Sequence, residues 1–476
     1  MSAAIAWHGL KRRALSLGAM KAFDNAMQFL LPVVLVRALD SATFGEYRLL
    51  WLAIATVMGL ATLNIYGSLY YFVPRSDTEH KRLYIHQALA FLAAAGILCG
   101  VALSAWNPWL PAPMVALEKY GMVVPAFVTL WVATILLDHL PTIEERIGWQ
   151  AAVTLGLSAL RVLLIAAAAW LTGDLLVILW LLLAVVVVKL ALLIDYVRRF
   201  HGFGRPWFRR ATAVEQFKQS APYGASSALY TLRGQADQWV AASLFALSSF
   251  AAFSIAALVG QVVQLIRQSV LEAFLPSMSR LEAAGDHRGM MEMNGRANVM
   301  VSTLLYPLLA FAFAFAEDIL TVVYTAQYAE GAAAMRLYIC GMAGMVVEIG
   351  SIVLLLREGP FAMRVSAGVL AVSVAASWSG AHAFGLAGAA LGSVLGIYLD
   401  RAFMLRRVSK RTGIRFAELQ HWRALGWTFL SAASAAALAW ICVHYGFSRT
   451  HLFNLIVGAA ILGSTYLLMN FRSLTK

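Results

Sequence analysis

The chain has 476 residues, of which 61% are hydrophobic and 13% charged, with a formal net charge of +13 and a mean hydropathy of +0.74. A water-soluble domain is nearer half apolar and a quarter charged, so the composition excludes a soluble enzyme or binding module and identifies a polytopic membrane protein. The excess of Lys and Arg sits in short segments between apolar runs, which is the loop bias of a membrane protein and not a nucleic-acid surface.

Apolar runs long enough to cross a bilayer, about 20 residues each, predict fourteen spans: 13–38, 45–73, 83–106, 117–140, 147–171, 175–197, 214–245, 249–276, 292–316, 329–356, 361–380, 385–405, 422–444 and 450–470. No cleaved signal peptide is expected, because the run after Lys11-Arg12-Arg13 is too long and is interrupted by Lys21 and Asp24. Placing the N-terminus in the cytoplasm puts most of the 37 basic residues on the inner side, above all in the loops 198–210 and 401–415. The even span count brings the C-terminus back to the same side. Those two loops divide the chain into six spans over 1–200, six over 211–411 and an extra pair over 421–476. The predicted fold is an all-α integral membrane protein with two six-helix lobes in parallel pseudo-repeat plus two extra C-terminal helices. The repeat is legible in span two, which runs from Phe44-Gly45-Glu46-Tyr47 to Phe72-Val73-Pro74. Span eight runs from Phe250-Ala251-Ala252-Phe253 to Phe274-Leu275-Pro276. Six spans per lobe is an even number, so the halves share one orientation and an axis along the membrane normal.

Polar side chains recur at helical spacing within several spans. Span one carries Lys21, Asp24, Asn25 and Gln28; span seven carries Ser226, Tyr230, Arg233 and Asp237; span eight carries Gln261, Gln264, Gln268 and Glu272 with Arg267 beside them. Steps of three and four place each set on one face of its helix. Ionisable groups at membrane depth are costly and face a bundle interior or a water-filled path. Lys21 either lines such a path or snorkels to the inner interface. Arg233 and Asp237, four apart, either neutralise each other or leave the guanidinium for an anionic ligand, whose phosphate oxygens its planar fork matches. Arg267 has Glu272 five residues on, poorly placed to share its face, and is expected to be the less paired cation. Arg161 in span five is a ligand cation or a lock between helices, and Lys189 in span six a snorkelling residue. Asp24, Glu272 and Glu348 are candidates for proton or sodium coupling, with an interhelical salt bridge as the alternative for Glu348; Asp138 is read as interfacial. Gly388, Gly392 and Gly396 recur every four residues, as in close helix packing. Trp106, Trp109, Trp131, Trp170, Trp180 and Trp239 lie near outer span ends, as in an aromatic belt. Three isolated cysteines and scattered histidines give no metal spacing, and no cofactor is expected.

Phe44-Gly45-Glu46-Tyr47 at the entry to span two resembles the recurrent Phe-Gly-x-Tyr of bacterial polysaccharide flippases. Leu275-Pro276-Ser277 closing span eight and Gly385-Leu386-Ala387-Gly388-Ala389-Ala390 opening span twelve are similar to further signatures of that group. It is the O-antigen and exopolysaccharide branch of the multidrug/oligosaccharidyl-lipid/polysaccharide exporter superfamily. The resemblance implies two lobes forming a V around a central cavity that alternates its access. It implies a bacterial inner-membrane transporter without covalent chemistry, whose substrate is an undecaprenyl-pyrophosphate-linked glycan destined for cell-surface polysaccharide such as lipopolysaccharide. Membrane lipids, a proton or sodium ion and the polysaccharide polymerase machinery are the other implied partners, and nucleic acid is not one. Lipid II flippases share the extra helix pair, although span one here lacks their paired arginines. A multidrug or cation exporter would favour an acidic, aromatic cavity. A membrane polymerase or glycosyltransferase would need a sizeable external loop, whereas the longest outer loops, near 107–116 and 317–328, are short.

Overall fold

Aspartates mark where several helices of this chain begin. Asp40 accepts from the Ala42 and Thr43 amides at 3.0 Å and starts α2 (Ser41–Ala61) after α1 (residues 22–38). Asp77 accepts from the His80 amide at 2.9 Å at the head of α4 (Thr78–Ala102), and Asp174 from the Leu176 amide at 2.8 Å at the head of α8 (Leu175–Phe200). A side-chain oxygen at this position satisfies an amide that the helix cannot. The computed structural model describes residues 20, 22–447 and 450–474, and every regular element among them is helical. Lys21 and the side chain of Glu272 lie outside the described residues. The chain forms two compact units, Met1–Leu232 and Arg233–Lys476.

In the first unit, span two is not one helix. After α2 the chain turns through Leu63 and Asn64, both left-handed at φ 45° and 54°, and resumes as α3 (Ile65–Phe72). Such a conformation costs a residue with a β-carbon roughly 1–2 kcal/mol. Gly224 shows what is packed there: a Cβ on it would lie 2.6 Å from the Leu63 main chain, so two backbones touch. Span four is interrupted as well. Helix α5 (Val123–Ala133) gives way to a tight turn, Ile135–Asp138, then to α6 (Leu140–Ile143) and α7 (Ile147–Thr172). Asp138 is not merely interfacial and Lys189 does not snorkel: they pair at 2.6 Å, with the ammonium 5.3 Å from the Trp131 ring. Trp131 also packs edge-on to Trp51 rather than joining an exposed belt, whereas Trp106, Trp109, Trp170 and Trp180 are exposed.

The loop between α6 and α7 is held by a buried carboxylate. Glu144, whose side chain is 4% exposed, meets Lys81 at 2.5 Å, the Tyr196 hydroxyl at 2.5 Å and His201 at 3.2 Å. Burial pushes its pKa up, but the hydrogen bonds from His201, Lys81 and Tyr196 outweigh burial and hold it at about 2, below the ordinary 4.5. A carboxyl depressed in the fold contributes stability that is present above its ordinary pKa and lost as pH falls from 4.5 toward 2. Glu144→Gln should therefore lower stability at pH 7 by about 2–3 kcal/mol. In thermal melts of the purified protein the gap between variant and wild type should narrow below pH 4.5.

Helix α9 (Arg210–Leu244) begins in the first unit, where Gln216 donates to Ser68 and Glu215 accepts from the Tyr84 hydroxyl. It contains Pro222, and the division between the units falls within it, after Leu232. The second unit continues with α10 (Leu247–Ala256), α11 (Val259–Ala283), α12 (His287–Ala314), α13 (Ala316–Ile319), α14 (Ala332–Met345) and α15 (Gly350–Leu355). Then follow α16 (Gly359–Gly388), α17 (Leu391–Thr412), α18 (Trp422–Cys442) and α19 (His451–Leu474). Here span eight breaks between α10 and α11, and span ten between α14 and α15, the places corresponding to the two breaks of the first unit. Paired interruptions at equivalent positions are a structural trace of an internal repeat.

Gly385, at φ 65°, turns α16 back toward α17. Across that kink a Cβ on Gly388 would lie 1.9 Å from the Gly380 carbonyl, and α17 approaches α16 until one on Gly392 would lie 2.0 Å from that of Ser373. The predicted outer loops are ordered turns: Ala112–Tyr120 is a short helix bent by 102° against α5, and Ala326–Gly331 another that buries Tyr328. Among the described residues nine helices are long and apolar enough to cross a membrane, ten if the bent pair is one span. The other predicted spans coincide with helices that are shorter or more polar: residues 22–38, α9, α14 with α15, and α17.

A candidate anion-handling site

Each unit holds an arginine against a carboxylate within its helices. In the first, Asp24 on α1 lies 3.8 Å from the Arg161 guanidinium on α7 and accepts from the Ser158 hydroxyl one turn away. Gln28, four residues on, donates to the same carboxylate at 2.8 Å. Arg161 is thus a lock between helices, the alternative that its own helix left open, and its Nε is buried without a partner. Asn25 is half-buried beside Asp24.

In the second unit, Arg233 on α9 donates to Asp400 on α17 at 2.6 Å, with side chains 21% and 10% exposed. Asp400 also lies 3.6 Å from Arg401, so one carboxylate sits between two guanidiniums and the trio keeps one net positive charge. The pairing of Arg233 with Asp237 is corrected by this geometry. Asp237 is 1% exposed and accepts from the Tyr338 and Ser393 hydroxyls, each at 2.5 Å. The reason is register. Ser393 and Asp400 are seven apart on α17, and Asp237 and Arg233 four apart on α9, so the two helices meet at two successive levels rather than each residue finding its neighbour on its own helix.

Arg267 on α11 is not the less paired cation expected. It donates to the Met345 carbonyl at 3.1 Å, at the end of α14 where span ten breaks. Gln264, a turn away, has a buried amide oxygen, while Gln268 and, in the first unit, Tyr230 are exposed. Glu348 forms no interhelical salt bridge among the described residues. It lies in the break itself, where its carboxylate accepts from the Ser351 amide at 3.2 Å and caps α15. Its carbonyl accepts from Asn294 and Asn298, both at 3.1 Å, and Gln420 joins those two amides at 2.7 and 2.8 Å.

A family model described as lipid II flippase MurJ matches residues 147–462, and one described as polysaccharide biosynthesis protein matches residues 10–282; each covers more than half of the chain. The chain belongs to the multidrug/oligosaccharidyl-lipid/polysaccharide exporter superfamily, in the group those two families describe. No curated protein matches it. Among solved structures, lipid II flippase MurJ in an inward closed conformation is 12% identical, with a TM-score of 0.70 over 95% of this chain and 99% of that one. An inward-facing multidrug transporter of the superfamily is 14% identical, with a TM-score of 0.63 over 81% and 95%. A superfamily transporter from Pyrococcus furiosus is 15% identical, with a TM-score of 0.55 over 84% and 96%. At these identities the structures establish the exporter fold. The protein is an integral membrane transporter of that superfamily.

Asp400, Tyr338, Ser393 and Ser158 are the residues that reading the sequence missed. The signal for two of them was present, since Ser393 and Asp400 repeat the helical spacing inside an otherwise apolar run.

Proposed function

We propose that this exporter flips an undecaprenyl-pyrophosphate-linked oligosaccharide across the bacterial inner membrane by alternating access, for cell-surface polysaccharide synthesis. The observation that carries this is the Arg233–Asp400–Arg401 trio, with Arg267 nearby in sequence order on the next long helix. A pyrophosphate taken into a low-dielectric setting must find cations or pay several kcal/mol. An arginine already held by a carboxylate is pre-oriented and can exchange that carboxylate for phosphate. Asp400, and in the first unit Asp24, are the carboxylates that would compete for their arginines and so drive release. The proposed orientation places both termini and the loops at 198–210 and 401–415 in the cytoplasm. Reporter fusions at Gly204 and Gly413 should accordingly read cytoplasmic, and periplasmic signal at either would reverse the orientation.

A second reading, lipid II transport, is favoured by the flippase family match over residues 147–462. One experiment separates the two. On depletion, the lipid-linked glycan that accumulates on the cytoplasmic leaflet is measured. Accumulation of a polymerisable oligosaccharide supports the first reading, and accumulation of lipid II supports the second. Accumulation of neither removes both.

A further inference from the structure

Beyond the transport path, the α16–α17 pair carries a groove of about 620 Å³. Its apolar floor is formed by Val365, Gly368 and Val372 on α16 and by Leu399 and Phe403 on α17. At one end stand Arg364 and Arg407, and the same face of α17 continues past Arg406 and Lys410 into a second hollow walled by Phe416. Residues 399, 403, 406, 407 and 410 are spaced to lie on one side of a helix.

The cations at this end are of two kinds. Arg407 is already engaged, 2.9 Å from Glu358 and 5.0 Å from the Phe361 ring, and Arg411 lies 3.5 Å from the same carboxylate. Arg364, Arg406 and Lys410 are exposed and have no acidic partner among the described residues. Lys410 also lies in the last turn of α17, whose C-terminal carbonyls already favour positive charge. A set of unneutralised cations just beyond a membrane helix, joined to an apolar channel running along that helix, has the charge and shape of an anionic lipid: phosphate at the cations, chain in the channel.

We propose that this groove binds one anionic glycerophospholipid of the leaflet on the side of the 401–415 loop. Its phosphate is held by Arg364, Arg406 and Lys410, and an acyl chain lies along Gly368 and Phe403. The lipid bridges α16 and α17 at the end away from their glycine contact.

The test uses native mass spectrometry of the full-length protein with phosphatidylglycerol or phosphatidylcholine of identical chains. One phosphatidylglycerol should be retained under conditions that strip phosphatidylcholine. The combined R364Q, R406Q and K410Q variant should lower that retention at least tenfold, since each surface cation is worth roughly fivefold. Gly368→Phe should also lower it with every charge in place, because a Cβ on Gly368 meets nothing within 4 Å and the ring would fill the channel. Inorganic phosphate should not displace the lipid. Equal retention of the two lipids overturns the proposal without recourse to any variant. Undiminished retention by the triple variant removes the headgroup site. Undiminished retention by Gly368→Phe, or displacement by phosphate, leaves an anion site without a chain and refutes the groove.

Discussion

Arg267→Ala protein, inserted and expressed at the normal level, is expected to lose export by at least about 100-fold, the scale of one lost charge-assisted contact to phosphate in a dry site. Arg267 does two things that the variant removes together. It brings a positive charge, and it donates to the Met345 carbonyl at 3.1 Å where α14 ends. Two further variants separate them. Arg267→Gln can keep a donor to that carbonyl without the charge and should remain defective. Arg267→Lys keeps charge without the planar fork and should export partially. Normal transport of lipid-linked glycan by Arg267→Gln would show that the charge is not needed and would leave the cation mechanism without support. Arg233→Ala belongs to the same test. Because Asp400 retains Arg401 at 3.6 Å, losing Arg233 does not strand Asp400, so the fold should persist while export falls. Asp400→Ala is the opposite case: two guanidiniums lose their shared acid, and stability itself should drop by about 3–5 kcal/mol.

The second large effect is structural. Gly392→Leu should prevent α16 and α17 from closing, because even the first carbon of the new side chain would stand 2.0 Å from the Ser373 carbonyl and 2.2 Å from the Ser377 hydroxyl. Overpacking against side chains typically costs 1–3 kcal/mol. A clash with main chain has fewer ways to relax, so roughly 3 kcal/mol or more is expected. The readout is a melting temperature in detergent well below wild type. Gly368→Leu on the same helix pair, facing open space, should leave it nearly unchanged. Equal melting of both variants would mean that the close approach is not what holds the pair.

The helices were legible because apolar length is written in consecutive residues. The breaks inside them were not. Leu63 and Asn64 are neither glycine nor proline, and the backbone packed against Leu63 is that of Gly224, more than 150 residues away in sequence. Polar stripes were likewise readable from spacing on one helix, but spacing cannot say which helix stands opposite. Arg233 met Asp400 across 167 positions rather than Asp237 four away. Arg161 met Asp24 on another helix, where its own offered no acid. Where a residue's partner is its helical neighbour the sequence shows it; where the partner comes from tertiary contact, as for Asp237 with Tyr338 and Ser393, only the fold does.

The amide cluster of Asn294, Asn298, Gln420 and the Glu348 carbonyl sets an order of events during synthesis. Asn298 lies in α12 and hydrogen-bonds to Gln420, which precedes α18 and is made 122 residues later. The Glu348 main chain reaches Asn298 after 50 residues, but at about 5–20 residues per second α12 waits roughly 6–24 s for Gln420, and until then each of its two carboxamides lacks one of its partners. During that interval it must be sheltered by the insertion machinery or remain near the interface. The last helix pair is then a closing step in assembly, and a chain ending before Gln420 should be recognised as unfinished and degraded, whatever the extra pair contributes to transport.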